Sequence, residues 1–496
     1  VDTIEHWIDG SRQTGSGTAR LPVHNPATGE TIREVVDGTT EDLDRAVAAA
    51  RSAAESWGDL SLSRRAAMMF ELKAQLDAHR EQFADLICAE HGKTRDDALG
   101  EVARGTEVVE FACGIPHLLK GSMSEQVSTG VDSWSVRQPL GVVAGITPFN
   151  FPLMVPLWMA PMAVATGNAF ILKPSEKVPS ASMLLAEVFE RAGFPAGVFN
   201  VVHGGPTIVN GILDHPDISA VSFVGSTPVA RHVYERGTAS GKRVQALGGA
   251  KNHAVVLPDA DLDHTVGALA AAAYGSAGQR CMAVSAVVAV GGIADELVDR
   301  LVKAGQDVKV GPASDPSSEM GPVISPQTVE RVDAVVRSAV DAGATLALDG
   351  RGVEVPGHAE GWFVGPTILD HVTTEMDAYR TEVFGPLLVV LRADTLDEAL
   401  ELIATNPYGN GAAVFTSSGS AARTFQRRVK AGMVGINVPI PVPLAFYSFG
   451  GWKSSLFGDT HIHGPEAVHF YTRAKVVTTR WIGDAVSSSF AFPTTR

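Results

Sequence analysis

Cysteine is scarce in this chain, with only Cys88, Cys113 and Cys281 among 496 residues. An odd and sparse set excludes a disulfide framework and points to a reducing compartment. Basic residues are also in deficit, 40 Lys and Arg against 55 Asp and Glu, for a formal charge of −15. That balance argues against a general polyanion binder, so nucleic acid is not expected as a partner, although a local basic pocket for a phosphorylated cofactor stays open. No HExxH, CxxC or GxSxG motif occurs, and His461-Ile462-His463 lacks matching ligands, so no metal site is expected. The acidic run Asp259–Asp263 lacks the glycine and terminal glutamate of a calcium loop and reads instead as an Asp-rich helix start. The longest uncharged stretch, Gln138–Leu172, is interrupted by Pro148, Asn150, Pro152, Pro156 and Pro161, which excludes a membrane helix and suggests buried core. The first residues, VDTIEHWIDGSRQTG, have neither a basic flank with an apolar run nor an Arg-rich, acid-poor composition. A cytoplasmic or mitochondrial-matrix setting is therefore expected, with no membrane partner.

What the chain does have is regular alternation. With 45% hydrophobic residues and a length that divides into two or three domains at roughly 150 residues each, it is an ordinary globular protein. Strands are predicted at Val142–Ile146, Ala169–Lys173, Val198–Val202, Ala220–Val224 and Arg243–Leu247, with helices near Val155–Ala165, Ser180–Ala192, Thr207–Asp214 and Thr227–Ser240. This order describes a doubly wound parallel sheet. A helical layer precedes it: Glu41–Trp57, Leu62–His79, Glu81–His91 and about Asp96–Gly114. A second α/β series follows, with strands near Ala286–Val290, Leu387–Leu391, Ala412–Phe415 and Met433–Val438 and helices near Ala294–Val308, Pro326–Ala342 and Leu396–Thr405. Gly121–Gln138 and Val468–Trp481 fit neither series and read as strands able to pair with another subunit. The expected organisation is a nucleotide-binding domain from residues 1–120 and 139–247, a catalytic domain over 248–452, and an arm from 121–138 and 468–490.

Several segments could carry chemistry. No GxGxxG or GxxxxGK[ST] is present, but Phe223-Val224-Gly225-Ser226-Thr227-Pro228 ends a strand at a helix start, where free N–H groups favour a pyrophosphate; it reads equally as a plain βα turn. Lys173-Pro174-Ser175-Glu176 lies at the carboxyl end of a strand, where Lys173 and Glu176 could hold ribose hydroxyls or simply pair with each other. Cys88 and Cys113 fall within amphipathic helices and read as inert thiols. Cys281 follows the small-residue loop Tyr274-Gly275-Ser276-Ala277-Gly278-Gln279-Arg280, so backbone can approach a ligand and the adjacent guanidinium would favour a thiolate.

In chain order these segments resemble the aldehyde dehydrogenase superfamily: PFNFP at Pro148–Pro152, KPSE at Lys173–Glu176, FVGST at Phe223–Thr227, ALGG at Ala246–Gly249, GQRC at Gly278–Cys281 and EVFGP at Glu382–Pro386. The likeness covers nearly the whole chain. Within the superfamily it is most similar to the CoA-acylating methylmalonate-semialdehyde dehydrogenases, through ITPFNFP with LWMAPMA, LGGAKNHAVVLPDADLD, GSAGQRCMA, PVPLAFYSFGGWKSSLFGD and FYTRAKVVTTRW. The resemblance implies an α/β fold of two Rossmann-like doubly wound domains with a β-strand oligomerisation arm, assembled as a homotetramer, a dimer of dimers. It implies Cys281 as nucleophile, Asn150 as oxyanion donor, and an NAD site at Thr147, Phe149, Lys173, Glu176, Lys177, Gly225, Ser226, Leu247, Glu382 and Phe384.

Hydrolytic members of the superfamily carry a glutamate before LGG as the base that activates water, and here the residue is Ala246. The likeness points instead to coenzyme A as acyl acceptor, with Arg104 and Arg280 gripping the substrate carboxylate. The implied products are propionyl-CoA from methylmalonate semialdehyde and acetyl-CoA from malonate semialdehyde, after loss of CO₂. Two other readings remain at this point: a hydrolytic enzyme releasing a free acid, and a catalytically silent member of the fold.

Overall fold

The structure, a computed structural model, describes residues 2–481. Its first sheet has eight strands in the spatial order Leu456–Phe457, Arg243–Leu247, Ile218–Val224, Val142–Ile146, Ala169–Lys173, Phe199–Val201, His6–Ile8, Ser11–Gln13. The five strands from Arg243–Leu247 to Phe199–Val201 run parallel, and those at the two ends are antiparallel to their neighbours. Val142–Ile146 and Ala169–Lys173 are buried at every position because helices cover both faces, which is why they read as unbroken apolar runs. The uncharged stretch between them folds into the fully buried helix Met154–Ala165. Among the described residues no helix is long and apolar enough to cross a membrane.

Strand order reverses between Val142–Ile146 and Ile218–Val224. Such a switch point opens a crevice at the carboxyl ends, here flanked by Thr147–Asn150 and Gly225–Ser226. The second sheet has seven strands, ordered Thr345–Leu348, Thr367–Asp370, Leu387–Ala393, Val284–Val290, Asn252–Val256, Gly411–Phe415, Met433–Ile436. All are parallel except the first. The helices of the preceding layer, Thr40–Gly58, Leu62–Ala78, Arg80–His91 and Arg95–Cys113, form where their apolar spacing predicts.

At several places the structure adds to the sequence reading or departs from it. Asn252–Val256 is a central strand that the pattern missed, because it starts with Asn and His and leads straight into an acidic run. The short strands before residue 40 were also missed, since three-residue segments such as His6–Ile8 are too brief to show a period. The arm segments pair with each other inside one chain, Val131–Pro139 against Thr472–Arg480, with Met123–Ser128 on the far side of Val131–Pro139. Residues 468–470, expected in the arm strand, end the helix Gly464–Phe470, and 482–490 lie outside the described residues. Leu456–Phe457 returns to the first sheet beside Ala246–Leu247, which carries that sheet past the boundary expected at residue 247.

Candidate active site

A cleft of about 780 Å³ opens at the carboxyl ends of the first sheet, with Cys281 and residues 324–331 and 381–384 closing its other side. Cys281 follows a tight 3-10 turn, Gly275–Gly278, in which Ser276 and Ala277 are left-handed and Gly278 has φ +68°. A Cβ on Gly278 would stand 2.2 Å from the carbonyl oxygen of Gly385, so only glycine lets this loop press against the 382–386 segment. The Cys281 carbonyl accepts hydrogen bonds from the side-chain amides of Asn252 (2.8 Å) and Asn410 (3.2 Å). Its Sγ lies 3.4 Å from Nδ2 of buried Asn150, which also donates to the Gln279 carbonyl at 3.0 Å.

Burial pushes the Cys281 thiol up to about 11; the Asn150 amide acts the other way, and Glu382 adds to the rise. The expectation that Arg280 favours a thiolate is therefore corrected. Its guanidinium donates to Asp97 at 2.7 Å and lies against Gly275.

The nucleotide side of the cleft is lined by Thr147, Phe149, Lys173, Glu176, Lys177, Gly225, Ser226, Glu382 and Phe384. Lys173 and Glu176 pair at 3.2 Å; burial works to raise the Glu176 carboxyl, but Lys173 and its own backbone hold it below the usual range. Lys177 lies 5.6 Å over the Phe149 ring, and Phe149 meets Phe384 edge-on at 5.8 Å. Ser226 precedes the helix Thr227–Ala239, and a Cβ on Gly225 would collide with the Phe223 ring. Glu382 accepts from the Ala250 N–H at 2.9 Å and rests against Gly249, where a Cβ would stand 2.4 Å from its carboxylate. Burial pushes its carboxyl up to about 7, against the pull of the Ala250 N–H, Lys251 and Arg331.

Three of the expected residues lie off this cleft wall. Leu247 is buried in its strand between Val224 and Leu456, and the cleft wall at that point is Gly248–Gly249. Arg104 and Arg280 do not line this cleft. Arg104 donates to Glu107 (2.6 Å) and to the Pro443 carbonyl (2.9 Å), while Arg280 is tied to Asp97. Asp97, Glu101 and Arg104 form one stripe on the helix Arg95–Cys113, spaced i, i+4, i+7. The stripe thus carries Arg104 itself and Asp97, the partner of Arg280, at positions about 10 Å apart along the helix axis. Arg331 and Tyr408 line the cleft and escaped sequence reading, because a lone polar residue in an amphipathic helix or edge strand carries no local signal. Ala246 is fully buried between Phe223 and Phe457 and presents no proton acceptor.

A cysteine beside an amide donor at one end of a switch-point cleft coincides with a family match: the model described as aldehyde dehydrogenase family spans residues 13–477. The chain belongs to the aldehyde dehydrogenase family. It is 50% identical to a malonate-semialdehyde dehydrogenase of Pseudomonas aeruginosa, covering 99% of this chain and 100% of that one. A solved methylmalonate-semialdehyde dehydrogenase from Oceanimonas doudoroffii superposes with TM-score 0.96 at 50% identity, covering 98% of this chain and 99% of that one. A Sinorhizobium meliloti protein described as a candidate methylmalonate-semialdehyde dehydrogenase, solved with NAD, gives TM-score 0.96 at 48% identity over 97% and 98% of the two chains. As an aldehyde dehydrogenase the protein is an oxidoreductase.

Proposed function

We propose that this aldehyde dehydrogenase oxidises malonate or methylmalonate semialdehyde with NAD through a Cys281 thioester, and passes the acyl group to coenzyme A with loss of CO₂. The products are acetyl-CoA or propionyl-CoA. The observation that carries the reading is the Asn150 amide 3.4 Å from Cys281 Sγ at the end of the cleft. Names of relatives solved or catalogued as semialdehyde dehydrogenases narrow the substrate class.

The cleft residues fit a dinucleotide: a helix start for the pyrophosphate, Glu176 and Glu382 for ribose hydroxyls, and close backbone approach at Gly225 and Gly249. A carboxylate at the adenosine ribose favours NAD over its 2′-phosphorylated form. When bound, NAD supplies the hydride acceptor.

Cys281 Sγ attacks the aldehyde carbon as the thiolate, its proton having passed to solvent water through the open cleft. The alkoxide takes hydrogen bonds from the Asn150 amide and the Cys281 N–H, and re-forms the carbonyl as hydride leaves, so a thioester remains on Cys281. Arg104 and Arg280 hold the substrate carboxylate until it departs as CO₂; the electron pair left on carbon is stabilised as an enolate by the same donors, then protonated. Ala246 can activate no water, so a thiol, which ionises more easily, is the acceptor. The domain assignment of 1–120 with 139–247 and of 248–452 belongs to this proposal. So does a homotetramer, which the exposed apolar side chains of the arm sheet support, Met123 and Val476 being 62% and 70% exposed.

The test is NADH release from malonate semialdehyde with and without CoA, with the carbon product identified by mass. Acetyl-CoA and sustained turnover only with CoA are expected, and a single burst of NADH without it. Free malonate formed without CoA would place the chain with hydrolytic enzymes; that second reading draws on Glu382, which lies in the same cleft as Cys281 with its carboxyl raised to about 7.

Glu382 also sets a pH dependence. A ribose hydroxyl donates more strongly to the carboxylate than to the carboxylic acid, so NAD binding prefers the ionised form. With a free-enzyme value of about 7, affinity should fall as pH drops below 7 and level off above it. Titration of NAD binding at pH 6, 7 and 8 checks this, and a flat profile would remove Glu382 from the ribose.

A further inference from the structure

The segment from Asn150 to Met154 carries the amide donor and starts a helix, yet it has little polar equipment of its own. Pro152 has no N–H, Phe151 and Leu153 are apolar, and the helix Met154–Ala165 has no side-chain cap from Leu153. Its hydrogen bonds come from elsewhere. Lys93 and Glu101, each with a fully buried side chain, form an ion pair of 2.7 Å. Lys93 Nζ also donates to the Asn150 carbonyl at 2.7 Å, and Glu101 accepts the N–H groups of Leu153 (2.9 Å) and Met154 (3.2 Å). One pair thus grips the turn at its first carbonyl and its last amides.

The pair is itself held. Lys93 lies 4.2 Å from the centre of the Phe151 ring, and Gly92, at φ +84°, presses against Pro322. Glu101 stands between Asp97 and Arg104 on the helix stripe already described. Apolar residues of similar volume would serve stability as well as a buried ion pair does, so stability alone does not account for one here. The Asn150 amide does. Its Nδ2 must meet an oxygen that exists only during the reaction, and its Oδ1 has no partner among the described residues, so the backbone beneath it has to be fixed.

We propose that Lys93 and Glu101 are positioning residues, which act through the Asn150 backbone to set its amide where the alkoxide forms. This rests on the reading of Asn150 as oxyanion donor. The experiment is a cycle of Lys93→Met/Glu101→Leu, Asn150→Ala and the triple variant, read as the rate of the NADH burst from malonate semialdehyde without CoA and as NAD affinity.

The pair variant leaves no unpaired buried charge and should fold. Its burst is expected to slow by roughly 100-fold with NAD affinity held within about threefold, and the triple variant should be no slower than Asn150→Ala, because groups acting as one unit are not additive. Glu101→Gln keeps an acceptor toward Leu153 and Met154, removes the charge facing Lys93, and enters the same cycle with a slowed, non-additive burst expected. A wild-type burst in both pair variants, or slowing that multiplies with that of Asn150→Ala, overturns the proposal. Should Asn150→Ala alone keep the wild-type burst, the oxyanion reading has failed and the positioning role goes with it, an outcome distinct from failure of the pair.

Discussion

Cys281→Ala should form no NADH from any aldehyde while still binding NAD. The variant loses the atom that attacks, and loss of a nucleophile costs on the order of 10⁴-fold or more. Neither remaining thiol can replace it. Cys88 and Cys113 lie on the helices Arg80–His91 and Arg95–Cys113, away from the cleft wall. Absorbance of NADH with purified variant, alongside NAD binding by fluorescence, checks the result. Turnover above background would remove Cys281 as nucleophile and revive a nucleotide-binding role for the fold.

Replacing both Arg104 and Arg280 by leucine should cost the next largest amount. Each charged hydrogen bond lost is worth about 1.5–3 kcal/mol. Each single substitution should therefore lower kcat/KM for malonate semialdehyde by roughly 10- to 150-fold, and the pair by more, while propanal, which has no carboxylate, changes little. The ion pairs complicate a single change. Arg280→Leu leaves Asp97 without its 2.7 Å partner, and Asp97 is a carboxylate that burial would raise but that Lys93 and Arg280 hold below its usual range. Arg280→Leu combined with Asp97→Asn separates that structural cost from the loss of substrate binding. Equal losses with both aldehydes would exclude these arginines from the carboxylate site.

Much of the fold was legible along the chain. Where strands are parallel and covered on both faces, as from Val142 to Leu247, each is an apolar run followed by a helix with its own start signal, and the structure follows that order within a residue or two. Legibility failed where an element is short or mixed. Asn252–Val256 occupies the middle of a sheet although its first residues are polar, because its neighbours at Val284–Val290 and Gly411–Phe415 bury it. In the site, the loop before Cys281 announced itself by small residues, whereas Lys93 and Arg331 gave no local sign.

Local pattern and composition were sufficient for the α/β class and for the small-residue loop before Cys281, while the roles expected of Cys281 and Ala246 came from the family resemblance. Direction was not among the things they could settle. Arg280 is bonded to Cys281 yet turns to Asp97, and Leu247 is buried behind the wall it was expected to line. Covalent adjacency constrains where a backbone goes, but where a side chain points depends on which partners packing brings within hydrogen-bond reach, and those partners come from the other end of the chain.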